Sequence, residues 1–160
     1  MRHDKPGAAM RDMPLSRIFL LLSLALYVAC LPFDTFCVPT GCDNWPSWAT
    51  LLFGWLMTDA GSANSTWFAN PLLFVGWLGM LKPFRRYNPG KIIAALAGYA
   101  ALALTVSFYF AETVVSNEGG IAQPITGYGL GYWLWVASAA AFAIAATLNF
   151  FIRSAPAMKS

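Results

Sequence analysis

Polar and apolar positions alternate along this chain on a coarse scale, with long apolar runs separated by short polar connectors. Runs at about residues 14–33, 67–84, 92–111 and 132–152 stand out. A helix needs about 20 apolar residues to cross the roughly 30 Å hydrocarbon layer of a bilayer, so these four runs predict four transmembrane helices. The first and third are uninterrupted, and the fourth opens on Tyr132 and Trp133, aromatics of the kind that sit at lipid headgroups. The second carries Asn70-Pro71 near its start, which predicts an irregular turn there, because proline removes a helical hydrogen bond and crowds the preceding turn.

A fifth apolar run, about residues 45–57, is too short to cross and predicts an interfacial helix. Trp45, Trp48, Leu52 and Trp55 recur at helical spacing, while Ser47, Thr50 and Thr58 fall largely elsewhere around the axis. The aromatic face either lies along the outer headgroup layer or packs over the ends of the spans as a lid. In either arrangement Trp45, Trp48 and Trp55 are the candidate partner-binding residues.

Composition agrees with this reading. A chain of 160 residues that is 58% apolar and 11% charged has more apolar surface than one small core can hide. Lipid must serve as a solvent, which gives an all-α membrane protein.

Charge then sets the orientation. Every Lys and Arg lies in one of three places: Arg2, Lys5, Arg11 and Arg17 in the N-terminal tail and the first turn of the first run, Lys82, Arg85, Arg86 and Lys91 from the end of the second run to the start of the third, and Arg153 and Lys159 after the fourth. Four crossings put all three places on one side, which the positive-inside rule makes the cytoplasm. The outer loops, about 34–66 and 112–131, hold Asp34, Asp43, Asp59, Glu112 and Glu118 and no Lys or Arg. The expected protein therefore sits in the bacterial inner membrane, multi-pass, N-in and C-in. Its net charge of +3 is a topology signal and points to no nucleic-acid partner. The first span could instead be a cleaved signal, with Cys30 at a lipoprotein-type processing site, but Tyr27 is bulky for that site and an uncleaved anchor is the expectation.

Cys37 and Cys42 fall in the outer loop, with Pro39 and Gly41 between them suited to a tight turn. An oxidising compartment makes a structural disulfide the plain expectation. Zinc usually takes three or four Cys and His ligands, and the sole histidine, His3, is in the cytoplasmic tail, so no metal and no cofactor is expected. A thiol–disulfide oxidoreductase using Cys37 and Cys42 is the alternative. It lacks a second cysteine pair to relay electrons, since Cys30 alone remains.

Ladders of small residues, Ala97 and Ala101 in the third span and Ala137, Ala141 and Ala145 in the fourth, predict close packing of these two helices. The first span, rich in Leu, Ile and Phe, is expected to face lipid. Asn149 is expected to bond a neighbouring helix or interfacial water. No Asp, Glu, Lys, Arg or His lies in the centre of any span, which argues against proton-coupled transport. The Gly-rich segment GYGLGYW at 127–133 reads as a close-packing entry into the fourth span, and Asn64-Ser65-Thr66 reads as a helix cap before it reads as a glycosylation acceptor.

The segments LLFGWLM, WFANPLLFVGWL and ITGYGLGYWLWVAS, with the cysteine-bearing outer loop, resemble a group of small four-span bacterial inner-membrane proteins carrying Trp-x-Ala-Asn-Pro and Gly-Tyr-Gly-x-Gly-Tyr signatures, over about residues 30–140. The group brings no established activity, so the resemblance implies the fold and no catalytic residue. The expected function is that of a non-enzymatic interaction protein, with membrane lipid and a protein of the membrane or periplasm as partners, an immunity protein being one such type.

Overall fold

The computed structural model describes residues 15–42, 46–56, 62–81, 88–115 and 121–151. Among the described residues six helices and four short strands follow in the order α1 (Leu15–Cys30), β1 (Phe36–Cys37), α2 (Ser47–Phe53), α3 (Ser62–Ser65), α4 (Ala69–Gly79), α5 (Asn88–Ser107), β2 (Thr113–Val115), β3 (Ala122–Pro124), β4 (Gly127–Tyr128) and α6 (Leu130–Phe151). A 3-10 turn, Thr66–Phe68, joins α3 to α4, and another, Phe108–Phe110, extends α5. The protein is mostly helical. Two stretches, Pro89–Phe110 and Leu130–Phe151, are long and apolar enough to cross a membrane.

The other two expected spans are shorter than their apolar runs. α1 stops at Cys30 because Pro32 follows and disfavours helix in the residue before it. The freed carbonyls of Leu31 and Phe33 then accept from the backbone N–H groups of Trp48 and Ser47, at 3.1 and 2.9 Å. In α4 the expected break at Asn70-Pro71 moves upstream. Pro71 occupies the first turn, where its missing N–H has no intrahelical acceptor to lose, and the irregularity is the 3-10 turn before it.

Neighbouring long helices run antiparallel. Tyr27 meets Asn70 while Trp77 meets Ser23, which sets α1 against α4. Tyr132 bonds Thr105 and Tyr99 bonds Thr147, which sets α5 against α6. Phe142, fully buried, lies at the centre with Leu73, Ala94, Ala101 and Ala145 around it. Ala97 and Ala141 are also buried, and Ala137 is half-buried.

The first helix, expected to face lipid, presents an exposed apolar face, and its other face lies along α6 through a stripe of small and polar residues that was not expected. Ser16, Ser23, Tyr27 and Cys30 are buried, whereas Leu21, Leu22 and Val28 are exposed. Ser138 Oγ donates to the Ser23 carbonyl at 2.8 Å, the two hydroxyl oxygens are 3.2 Å apart, and Trp77 Nε1 donates to Ser23 Oγ at 3.2 Å. Polar groups inside and leucine outside is the pattern of a helix whose surroundings are apolar, where hydrogen bonds and close approach hold helices together. Asn149 also departs from expectation: it is 1% exposed, and neither its Oδ1 nor its Nδ2 has a partner among the described residues.

At one end of the bundle the connecting segments form two small antiparallel sheets. β1 pairs with β4 in the register Phe36↔Tyr128, and β2 pairs with β3 in the register Val114↔Gln123. These strands amend the all-α expectation. The 127–133 glycines do pack closely: a Cβ on Gly129 would collide with the Asp34 carbonyl, and one on Gly131 would stand 2.6 Å from the Phe33 carbonyl. That approach lets the Gly131 N–H reach Asp34 O at 3.0 Å and the Gly129 N–H reach Thr35 O at 3.1 Å, so the first outer segment is tied to the start of α6.

Candidate functional site

Beneath α2, at the end of the bundle that carries the sheets, lies a cavity of about 390 Å³. Its floor is made by Tyr27 and Cys30 of α1, Asn70 of α4 and Trp135 of α6, and its walls by Phe36, Phe108 and Val114 among others. α2 is the roof. The helix is held in place by Ser47, whose Oγ donates to the Phe33 carbonyl at 2.9 Å and lies 2.9 Å from Thr35 Oγ1, and by Trp67, whose Nε1 donates to the Leu51 carbonyl at 3.0 Å. Among the described residues no charged side chain lines the space.

The polar centre of the floor is Asn70, 6% exposed. Its Oδ1 accepts from Tyr27 Oη at 2.9 Å and from Trp135 Nε1 at 3.0 Å. An indole N–H can only donate, so the amide oxygen must face Trp135 and the amide nitrogen must face away. No acceptor for Nδ2 is found among the described residues. On the roof, Thr50 Oγ1 is buried and likewise has no partner among them. Three helices are thus pinned together by one amide oxygen.

α2 is present as expected, but with its faces assigned the other way from a lid. Ser47, Thr50 and Leu51 face the cavity. Trp48 and Trp55, 48% and 54% exposed, point outward with Leu52 and line no part of it. Trp45 lies outside the described residues.

Cys37 and Cys42 stand at disulfide-bonding distance, 2.12 Å. The turn between them is closed by Val38 and Gly41, which exchange backbone hydrogen bonds, and Gly41 takes a positive φ of 134°, open to glycine. Cys30 is a free, buried thiol that donates to the Tyr27 carbonyl at 3.0 Å. The capping expected of Ser65 or Thr66 is not seen at the turn Thr66–Phe68, where Ser65 makes no side-chain cap, and Asn64 has a structural role. Its amide bonds both backbone groups of Val115, at 3.0 and 3.2 Å, and fastens α3 to the second sheet, while Thr66 Oγ1 turns back to the Ala63 carbonyl at 2.6 Å.

Outside the cavity, Tyr128 stacks on Tyr109 with ring centroids 5.3 Å apart and donates to the Tyr109 carbonyl at 3.0 Å. Burial, with the neighbouring Tyr109 hydroxyl, raises its phenol above the ordinary tyrosine range. No group of three or more His, Cys, Asp or Glu that could hold a metal occurs among the described residues.

Asn70, Tyr27, Trp135 and Thr50 were not among the residues the sequence pointed to as functional. A signal existed, since Asn70 is an amide inside an apolar run, where a polar side chain is costly without a partner. The adjacent proline drew the reading toward a helix break instead. Compared with protein-family models, with curated proteins and with solved structures, the chain matches none.

Proposed function

We propose that this is a four-span protein of the bacterial inner membrane, with both termini in the cytoplasm, that works by binding a partner at its outer end and performs no chemistry. The up-and-down packing of α1, α4, α5 and α6 supports four crossings. So does the exterior of these helices, where Leu21, Val75, Leu96 and Ile144 are exposed side chains that suit lipid and not water. α1 and α4 are the short members, and the 16 residues of α1 rise about 24 Å, so the outer leaflet meets α2 near the exit of α1.

The observation that carries the functional reading is the outward aromatic face of α2. Trp48, Leu52 and Trp55 are about half exposed, fixed on a helix that is itself bonded to the bundle. Rigid, exposed tryptophans are the residue type that anchors interfaces, and the partner is a protein of the membrane or periplasm, as an immunity protein's toxin would be. The test is to compare variants at matched membrane abundance. Trp48→Ala or Trp55→Ala should abolish partner capture, and replacing both Cys37 and Cys42 by Ser should reduce capture only as far as it reduces folded protein.

A second reading, an outer-face thiol–disulfide oxidoreductase using Cys37 and Cys42, is favoured by one observation, the free Cys30 thiol in the cavity floor. It requires the opposite result in the same comparison, with activity lost on replacing either cysteine and retained in both tryptophan variants.

A further inference from the structure

We propose that the cavity under α2 binds a neutral, membrane-soluble molecule through a carbonyl group that accepts from Asn70 Nδ2, with Thr50 Oγ1 as a second contact. The inference rests on the reading of this end as the outer, binding end of the protein, and adds a small-molecule site to it. Asn70 is more than nine-tenths buried, and its oxygen is committed to Tyr27 and Trp135. The Thr50 hydroxyl is buried without a protein partner among the described residues, no bond from Asn70 Nδ2 is found among them, and both residues line the cavity. A donor left unpaired in an apolar site is costly, so an acceptor in the cavity is favoured.

The rest of the lining fixes the class of molecule. Among the described residues no charged side chain faces the space, so an anionic or cationic headgroup would be desolvated with no compensation from them. Phe36, Phe108, Trp67 and Trp135 offer ring faces and edges to an apolar or planar body. The volume of about 390 Å³ falls in the range of small-ligand sites. A carbonyl on an apolar body meets all three conditions. In a membrane that chemistry has two sources, the ester of an uncharged glycerolipid and the ring of an isoprenoid quinone.

The test uses the full chain in detergent, stripped of copurified lipid, and native mass spectrometry with three probes. These are dioctanoylglycerol, its ether analogue dioctylglycerol, which lacks the carbonyls, and decyl-benzoquinone. One probe molecule per chain is expected from the ester or from the quinone, which identifies the source, with the ether analogue at least about tenfold weaker, the ratio for one hydrogen bond of about 1.4 kcal/mol. Asn70→Asp keeps an acceptor for Tyr27 and Trp135 and, as the carboxylate, carries no donor, so with the carboxyl ionised at alkaline pH it should lose the carbonyl probe by about the same factor. Ala63→Leu, which leaves the Asn70 bonds intact and fills the space, should block every probe and keeps the test decisive if the Asn70 variant does not fold. Equal binding of ester and ether, or binding that persists in both variants, overturns the inference. So does the absence of any bound probe. Partner capture at Trp48 and Trp55, measured on the same preparations, reports separately on the outer-end reading, which would survive that failure.

Discussion

Asn70→Ala is the substitution that most directly probes how this bundle is held. It removes the one atom that receives hydrogen bonds from both α1 and α6, leaving Tyr27 Oη and Trp135 Nε1 without an acceptor. By the rule for buried, unsatisfied donors in water-soluble proteins the loss is about 1–3 kcal/mol for each donor. Interhelical hydrogen bonds within membranes average nearer 0.6 kcal/mol and reach about 1.7. Tyr27 and Trp135 both line the cavity, which can admit water to the orphaned donors, so the expected cost falls between the two rules, at about 2–3 kcal/mol. Equilibrium unfolding in mixed micelles, followed by tryptophan fluorescence, measures it. Tyr27→Phe should cost about 1 kcal/mol, and in the double variant the two losses should fall short of additive by about that amount, because the second change removes a donor already orphaned. An Asn70→Ala loss below about 0.5 kcal/mol, or strict additivity, would refute the claim that this amide organises the outer end.

Further outcomes follow from other parts of the structure. Reporter fusions after Asn88 and after Ser160 should give cytoplasmic signals, and fusions after Ala63 and after Gly119 external ones; an external signal at Asn88 would end the four-span proposal. Alkylation before reduction should leave Cys37 and Cys42 unmodified, with Cys30 reacting only after unfolding, and ready labelling of Cys37 and Cys42 in an oxidised preparation would remove the staple. Gly131→Ala should destabilise the protein by about 2–4 kcal/mol, since a Cβ there meets the Phe33 and Asp34 carbonyls and the Ser47 hydroxyl, which cannot all withdraw without breaking the Gly131–Asp34 hydrogen bond; unchanged unfolding would show that the first outer segment does not need to lie against α6.

Much of the helical scaffold was legible in the apolar runs, and the parts that were not share a cause. The third and fourth runs became α5 and α6 with small shifts of boundary, α5 starting at Asn88 because proline at the first helical positions starts a helix as readily as it ends one. α2 was visible from its spacing, but which face met the protein was not. Beside a bilayer an aromatic face can be the outward one, so amphipathicity fixes the axis and leaves the sense open. The packing of α1 was missed in a related way: its Leu-rich face was read as apolar and is exposed, while its buried stripe of Ser16, Ser23 and Tyr27 offered none of the alanine ladder used to recognise packing. The sheets were invisible because strands of two and three residues carry no alternation, and their pairing joins distant segments such as Cys37 and Gly127. The cavity was hidden likewise, since its floor draws Tyr27, Asn70 and Trp135 from three separate helices and only their hydrogen bonds bring them together.

The measurement that bears most directly on binding at the outer end is photocrosslinking in native membranes from a benzophenone side chain placed at position 48, with the same group at position 144 as the reference for a lipid-facing surface. Trp48 and Ile144 are comparably exposed, one on the outward face of α2 and the other on the exterior of α6. The account predicts a discrete protein adduct from position 48 that is absent from position 144, that disappears in Trp55→Ala at unchanged abundance, and that persists when Cys37 and Cys42 are both Ser in proportion to folded protein. Identical, lipid-only labelling from the two positions, together with thiol oxidation by the purified protein that needs either cysteine, would contradict it.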